Sequence, residues 1–205
     1  MSESQSTRQF WNEKFSGDEY AYGTEPNEFL KEVALKLPPG AALSIAEGEG
    51  RNAVWLAEQG HEVSCIEQSE KGVAKTLRLA LKRGVLVNAE RGELETFHIQ
   101  PNSWDLVVSI YAHTPPDLRR RLHRQIAAGL KPGGLFVLEA YTPDQISNNT
   151  GGPKDVSLMP TAGGLREELR GLVFDRIEEV EREVHEGMLH TGKANVVQVV
   201  ARRAS

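Results

Sequence analysis

The sequence has little cysteine, few aromatic residues and no long apolar run. Cys65 is the single cysteine among 205 residues, so neither a disulfide framework nor a zinc cluster built from cysteines is possible. It falls in the apolar run 63–66, where we expect it to be an ordinary core residue. No apolar stretch approaches the roughly 20 residues needed to cross a bilayer, and we expect no membrane partner.

An excess of positive charge is also absent. With 24 Lys and Arg against 29 Asp and Glu, the net charge is −5, which gives no general attraction to nucleic acid or anionic lipid. The run 119–121 is all arginine, but it shares a predicted helix with an apolar face, and this favours a solvated helix side. The polar N-terminal segment lacks the apolar region of a signal peptide, so a cytoplasmic location is expected.

Glycine and proline divide the chain into alternating strand and helix segments. We predict helices at 26–36, 52–59 and 69–83, and another whose apolar face carries Leu118, Leu122, Ile126 and Leu130. We predict strands at 42–46, 62–66, 85–87, 104–110 and 135–140, followed by a hairpin of 173–184 and 194–201. This alternation indicates a mostly parallel α/β sheet covered on both faces. The length suits one domain spanning 1–205.

The segment LSIAEGEGRNAVWLA at 43–57 places a glycine-rich turn between the first strand and a helix. In such sheets the first strand–turn–helix is the usual ligand site. The Gly-Lys-Ser/Thr of a P-loop is missing, which excludes a nucleoside triphosphate site of that kind. Glu67, at the end of the second strand, is suitably placed to accept hydrogen bonds from ribose hydroxyls. It indicates an adenosine-type ribose but does not identify what the adenosine carries.

Two carboxylates, Glu47 and Glu49, bracket this turn. Beside a pyrophosphate they would add repulsion in a partly desolvated site, whereas S-adenosylmethionine offers a sulfonium and an ammonium group and no phosphate. The acidic turn therefore favours S-adenosylmethionine. An NAD-dependent oxidoreductase is a less favoured alternative, since it shares the turn and the ribose acid but would require a Tyr-x-x-x-Lys pair that we do not find.

Several ordered motifs carry a family resemblance. They are FWNEKFSGDEYAYGTEPNEFL at 10–30, AEGEGRN at 46–52, Glu67-Gln68, LKPGG at 130–134 and YTPDQISNNTGGP at 141–153. The chain resembles class I S-adenosylmethionine-dependent methyltransferases over nearly its whole length, and more narrowly the bacterial branch related to tellurite-resistance methyltransferases. The resemblance implies a Rossmann-like, mostly parallel seven-stranded sheet with an antiparallel C-terminal strand and helices on both faces.

The resemblance also implies a set of cofactor-binding residues. The methionine part would be surrounded by the glycine turn and the fourth strand end, through Ala46, Glu47, Gly48, Gly50, Ser109 and Ile110. The adenosine part would be bound by Glu67 at the ribose, by Gln68 and Glu93 at the adenine, and by the backbone N–H of Leu94. Tyr22 and Gly23 would close over the cofactor from the N-terminal segment.

One position departs from the family pattern. The usual turn begins Asp-x-Gly-x-Gly-x-Gly, whereas Ser44 and Ala46 stand here in place of the Asp and the first Gly. The acid that usually steers the methionine ammonium is therefore missing from the strand. Our hypothesis is that Glu47, three residues later, supplies that carboxylate.

The methyl acceptor is expected beyond the fourth strand, where His113 could orient it or take its proton. The alternative is a histidine that only hydrogen-bonds around 114–116. Segment 1–25 is interpreted as a cofactor lid, with plain packing as the alternative. Loop 142–164 is interpreted as a substrate lid, with a floppy insertion as the alternative.

The function predicted from these features is in-line methyl transfer to a small molecule. A thiol or metalloid oxyanion would suit the site, in a monomer or weak dimer without a metal site. A non-catalytic S-adenosylmethionine-binding protein is the alternative.

Overall fold

The computed structural model describes residues 3–148, 150–187 and 190–205. Its helices are α1 (Glu3–Lys14), α2 (Glu28–Ala34), α3 (Arg51–Glu58), α4 (Glu70–Arg83), α5 (Pro116–Gly129) and α6 (Ala162–Glu168). Its strands are β1 (Ala41–Ile45), β2 (Glu62–Glu67), β3 (Asn88–Arg91), β4 (Trp104–Ile110), β5 (Leu130–Tyr141), β6 (Leu172–Glu186) and β7 (His190–Arg203). None of the helices in these ranges is long and apolar enough to cross a membrane.

The strands form one sheet of seven in the order β3-β2-β1-β4-β5-β7-β6. Strands β1 to β5 pair in parallel. Strand β7 runs antiparallel to both of its neighbours, β5 and β6. The predicted fold class, a mostly parallel Rossmann-like sheet with an antiparallel C-terminal strand, is confirmed. Because β1, β2, β4 and β5 run in parallel, their carboxyl ends meet at one edge.

Each central strand buries both of its faces. In β4, Leu106 and Val108 pack with α2, α3 and α4, whereas Val107 packs against α5 and α6 on the other side. Side chains alternate across a strand, so a strand covered on both sides has to be apolar throughout. This explains why β4 appears in the sequence as a continuous apolar run.

The third strand was predicted at the wrong place. The apolar residues Val85 and Val87 precede β3 and pack against the core, whereas the strand itself is Asn88–Arg91. Strand β3 is at the sheet edge and mostly exposed, so apolar content does not mark it. Helix α4 follows the prediction closely, because the Ser69 side chain accepts a hydrogen bond from Gly72 N and Gly84 ends the helix in a left-handed conformation.

Loop 142–164 is more ordered than its composition suggests. It contains two short 3-10 helices, Pro143–Ser147 and Val156–Leu158, and its last residues begin α6. The buried Gln145 side chain accepts a hydrogen bond from Asn195 N and donates to Thr150 Oγ1. The loop is therefore attached to β7, and the interpretation as a floppy insertion does not hold for its described residues.

Candidate active site

The glycine turn after β1 has a backbone that few side chains tolerate. Ala46, Gly48 and Gly50 all have positive φ, at 50°, 73° and 97°. A Cβ at Gly50 would lie 2.7 Å from Thr76 Cα in α4. A glycine is therefore required at position 50 both by the backbone conformation and by the close approach of α4.

The Glu67 carboxylate joins this turn to the start of α4. Its oxygens accept hydrogen bonds from Gly48 N at 2.9 Å and Ser69 N at 2.8 Å. Burial raises the pKa of Glu67, and these backbone hydrogen bonds oppose the shift. A carboxylate has about four lone-pair positions, so two contacts leave capacity for ribose hydroxyls. Glu67 thus connects the glycine turn with the start of α4.

Glu47 lies under the turn and caps helix α3. One carboxylate oxygen accepts from Asn52 N and Ala53 N at 3.0 and 2.9 Å, and the other accepts from the Ser44 hydroxyl. Burial raises the pKa of Glu47 despite these hydrogen bonds. The contact with Ser44 puts a carboxylate beside the position where the family pattern has its Asp.

The Glu49 carboxylate is held by partners within the chain. Its carboxylate pairs with Lys75 Nζ at 2.6 Å and accepts from Ala21 N at 2.7 Å. The interpretation of both acids as ligand-facing is therefore wrong for Glu49. Its charge serves to attach α4 and the N-terminal segment to the turn.

The N-terminal segment packs directly on the turn. Phe15 is buried, and its ring lies 3.5 Å from where a Cβ on Gly48 would be. The Tyr22 ring meets Phe15 edge to face, and Lys14 Nζ lies 5.7 Å from the Tyr22 ring centroid. A Cβ at Gly187 would lie 2.5 Å from Gly23 N, so the end of β6 also closes against this segment.

The residues assigned to adenine lie beyond β2 and β3. Glu93 pairs with Arg8 of α1 at 3.5 Å, and both side chains are partly exposed. The Leu94 carbonyl accepts a hydrogen bond from Arg121, which also donates to Phe97 O. Gln68 follows β2 and is partly buried. The arginine run is therefore more than the solvated helix side that we expected, since Arg121 supports the loop carrying the proposed adenine contacts.

Beyond β4 the chain turns sharply. Ser109 and Ile110 are buried at the strand end, and Tyr111 has φ of 55°, which is unusual for a bulky residue. The Tyr111 hydroxyl donates to Glu139 Oε1 at 2.9 Å and its N–H donates to Glu139 O at 2.7 Å. Burial, followed by the charge of Glu139, raises the pKa of Tyr111 well above its usual value.

His113 is held by the end of β5. Its Nε2 accepts a hydrogen bond from Tyr141 N at 3.0 Å, and the two rings stack with centroids 5.6 Å apart. A neutral imidazole has one acceptor nitrogen, so the lone pair that a general base would use is occupied. The structure therefore favours orientation or structural support for His113 over proton abstraction.

Sequence reasoning missed a buried polar network below this edge. Glu139 is 0% exposed and accepts hydrogen bonds from Asn27 Nδ2, Arg182 Nη1 and Gln198 Nε2. The available signal was a single acid within the apolar run LFVLEAY, since a buried carboxylate requires partners.

The pKa of Tyr22 is raised to about 12 by burial and then by Glu49, with Arg51 opposing the shift.

Residues 42–134 match a family model described as a methyltransferase domain. This part of the chain is similar to methyltransferase domains. The match begins in β1 and ends within LKPGG, and it therefore includes the glycine turn, Glu67 and the end of β4. No curated protein matches the sequence.

Solved structures share the fold of this chain at low identity. A protein described with the conversion of a disulfide bond into a thioacetal group in echinomycin biosynthesis has a TM-score of 0.77 and 18% identity, over 98% of this chain and 92% of that one. TehB from Haemophilus influenzae has a TM-score of 0.72 and 18% identity, over 96% of this chain and 66% of TehB. The magnesium protoporphyrin IX methyltransferase ChlM from Synechocystis PCC 6803, with bound S-adenosylhomocysteine, has a TM-score of 0.71 and 14% identity. The match covers 99% of this chain and 100% of ChlM.

The predicted enzyme class and cofactor, a methyltransferase dependent on S-adenosylmethionine, are therefore confirmed for this domain. The similarity to TehB gives only weak support to the tellurite-resistance branch.

Proposed function

We propose that the protein transfers the sulfonium methyl group of S-adenosylmethionine to a small-molecule acceptor. A lone pair of the acceptor forms the bond to the methyl carbon while the carbon–sulfur bond breaks. The electrons of the broken carbon–sulfur bond remain on sulfur, giving S-adenosylhomocysteine. The observation that carries the proposal is the hydrogen bond from Gly48 N to Glu67. It joins the glycine turn to the acid that would bind the ribose, at the carboxyl edge of the sheet. Because the donor is already activated, the protein contributes mainly positioning and exclusion of water.

The cofactor would extend from the end of β4 across the turn to β2. Its methionine part would meet Ala46 to Gly50, Ser109 and Ile110, and its ribose would meet Glu67. Its adenine would reach Gln68, Glu93 and the N–H of Leu94. The contact of Glu47 with Ser44 supports the hypothesis that Glu47 replaces the missing Asp, because its carboxylate lies beside the side chain that occupies that position.

A soft acceptor such as a thiol or a metalloid oxyanion suits the site best. The lone pair of His113 Nε2 is occupied by Tyr141 N, and the raised pKa values of Tyr111 and Tyr141 keep both hydroxyls protonated. An acceptor that needs a base is thus poorly served by these groups. The sulfur chemistry of the echinomycin-pathway neighbour agrees with this choice.

The two lids complete the proposal. Phe15 and Ala21 of the N-terminal segment contact the turn, and Gln145 attaches loop 142–164 to β7. These contacts support the proposal that both segments enclose bound ligands. Residues 1, 2 and 149 lie outside the described ranges. We also propose that residues 1–205 form a single domain, that the protein is cytoplasmic, and that it is a monomer or weak dimer.

Binding and turnover test the proposal separately. Calorimetry should show micromolar or tighter binding of S-adenosylhomocysteine and none of NAD, and Glu67→Ala should weaken binding at least tenfold. A panel of 2-mercaptoethanol, tellurite, selenite and catechol with methyl-labelled cofactor then tests transfer. Binding without any turnover over a wider acceptor panel would favour a non-catalytic binding protein, and NAD binding alone would contradict the proposal.

A further inference from the structure

Arg51 has a buried guanidinium nitrogen without a hydrogen-bond partner among the described residues. It is the first residue of α3, directly after Gly50 of the turn, and only 6% of its surface is exposed. Nη2 lies 2.7 Å from Glu186 Oε2, whereas Nη1 is buried and has no hydrogen-bond partner in the described part of the chain. A buried charged donor that lacks an acceptor is costly, so its retention beside the turn requires an explanation.

The guanidinium is also fixed in position. Glu186 Oε1 accepts from Asn27 Nδ2 at 2.8 Å, and the same amide nitrogen donates to Glu139 at 2.7 Å. Asn27 is completely buried. Glu186, which pairs with Arg51, is itself held by the buried Asn27. The Arg51 side chain therefore cannot bring Nη1 to solvent by a simple rotation away from Glu186.

The surroundings of Arg51 belong to the proposed cofactor site. Arg51 directly follows Gly50 of the turn, and its partner Glu186 directly precedes Gly187, where a Cβ would lie 2.5 Å from Gly23 N of the N-terminal segment. Glu47 and Glu49 on the turn are acids with partners of their own, so they do not satisfy Nη1. The vacant donor therefore points to an anionic group of a bound ligand.

We propose that Arg51 Nη1 binds the carboxylate of the cofactor's methionine part. This assignment rests on the proposed function, which places that part of S-adenosylmethionine over the turn from which Arg51 projects. The methionine part has one carboxylate, and the residues assigned to it from the sequence provide no cation. A guanidinium matches a carboxylate in charge and in planar geometry.

The test compares two ligands that differ only in the carboxylate. Calorimetry is run with S-adenosylhomocysteine and with its decarboxylated analogue, S-adenosyl-3-thiopropylamine. The wild type should bind S-adenosylhomocysteine about 10 to 100 times more tightly, as expected for a charge-assisted hydrogen bond. In Arg51→Gln the ratio of the two dissociation constants should fall to near 1.

Additional variants separate binding from folding. Because Arg51→Gln leaves Glu186 buried without its cation, the double variant Arg51→Gln/Glu186→Gln removes both charges and should give the same ratio near 1. Arg202→Gln, which removes a half-exposed arginine of β7 that pairs with Asp175, is the control and should retain the wild-type ratio. An unchanged ratio in the folded Arg51 variants, or equal weakening of both ligands, would overturn the assignment. If the wild type binds neither ligand, the proposed function itself is wrong.

Discussion

Lys75 Nζ lies 2.6 Å from Glu49 Oε1, with both side chains less than a tenth exposed. This ion pair links the middle of α4 to the glycine turn, and Lys75 also donates to Glu19 O at 2.6 Å. The same Glu49 carboxylate accepts from Ala21 N. One buried pair thus holds together three segments around the proposed cofactor site, and the position of the turn depends on it.

Loss of the cation should be costly. Lys75→Met leaves Glu49 buried without its counter-charge, and we expect the free energy of unfolding to fall by about 3–5 kcal/mol. The double variant Lys75→Met/Glu49→Gln should recover much of that loss. Urea denaturation measures both. Lys36→Met, which removes the exposed pair of Lys36 with Glu32, is the control and should change stability by less than about 1 kcal/mol. A similarly small effect of Lys75→Met would contradict a structural role for the buried pair.

The contact between the end of β6 and the N-terminal segment requires that Gly187 has no side chain. Gly187 and Gly84 have φ of 68° and 71°, but a Cβ at Gly187 would collide with the backbone of 22–23, whereas one at Gly84 meets nothing within 4 Å. Gly84→Ala should therefore cost only the backbone strain, about 1–2 kcal/mol. Gly187→Ala should cost more and should also weaken binding of S-adenosylhomocysteine. Thermal unfolding and calorimetry check this, and equal losses of stability would show that the close approach is unimportant.

The two acids of the turn show what the sequence could and could not predict. The turn, its glycines and Glu67 were recognised because each signal is confined to a few neighbouring residues at the end of a strand. The partner of Glu49 is 26 positions away, on the buried face of α4 beside Gly72 and Leu79, and no pattern of neighbouring residues links the two positions. Glu139 likewise gathers partners from the N-cap of α2, from β6 and from β7, which only the tertiary fold brings together.

The pairing of α5 with α6 should make stability depend on pH. Glu168 accepts from Arg119 Nη2 at 3.0 Å, and His123 Nδ1 lies 2.8 Å from its other oxygen. Burial opposes its charge, but hydrogen bonds from His123 and Arg119 outweigh this and lower the pKa of Glu168 below 4.5. A lowered carboxyl pKa stabilises the fold above the unfolded value and loses that contribution as pH falls further.

Glu168→Gln should therefore lose about 1–3 kcal/mol of stability at pH 7. The difference from wild type should shrink as pH falls below about 4.5, since wild type then loses the same contribution. Urea denaturation across pH 3–7 measures this, with Glu167→Gln at the exposed neighbouring position as control. A difference that stays constant down to pH 3 would show that the Glu168 charge is not its source.

His113 should not act as a general base. His113→Gln keeps an acceptor for Tyr141 N, because the amide oxygen can replace Nε2. With an acceptor from the panel that turns over, we expect kcat to fall less than about tenfold and its pH profile to keep its shape. A loss of 100-fold or more, the range typical of general-base removal, accompanied by the disappearance of an acidic limb, would restore the catalytic interpretation.

Glu47→Gln tests whether this residue supplies the acid missing at Ser44. The amide can keep the fold, because its oxygen can accept from Asn52 N and Ala53 N as the carboxylate does, and its NH₂ can donate to Ser44 Oγ. Removal of the charge should weaken binding of S-adenosylhomocysteine about 10- to 100-fold, since a charge-assisted hydrogen bond to the ammonium is lost. Binding of 5′-methylthioadenosine, which has no ammonium, should be unchanged.

Adding Ser44→Asp to that variant should restore affinity, because it returns the carboxylate to the strand position of the family pattern. Calorimetry with both ligands measures all three proteins. If Glu47→Gln binds S-adenosylhomocysteine as tightly as wild type, Glu47 only caps α3, and the ammonium must be held by backbone carbonyl groups of the turn and the end of β4.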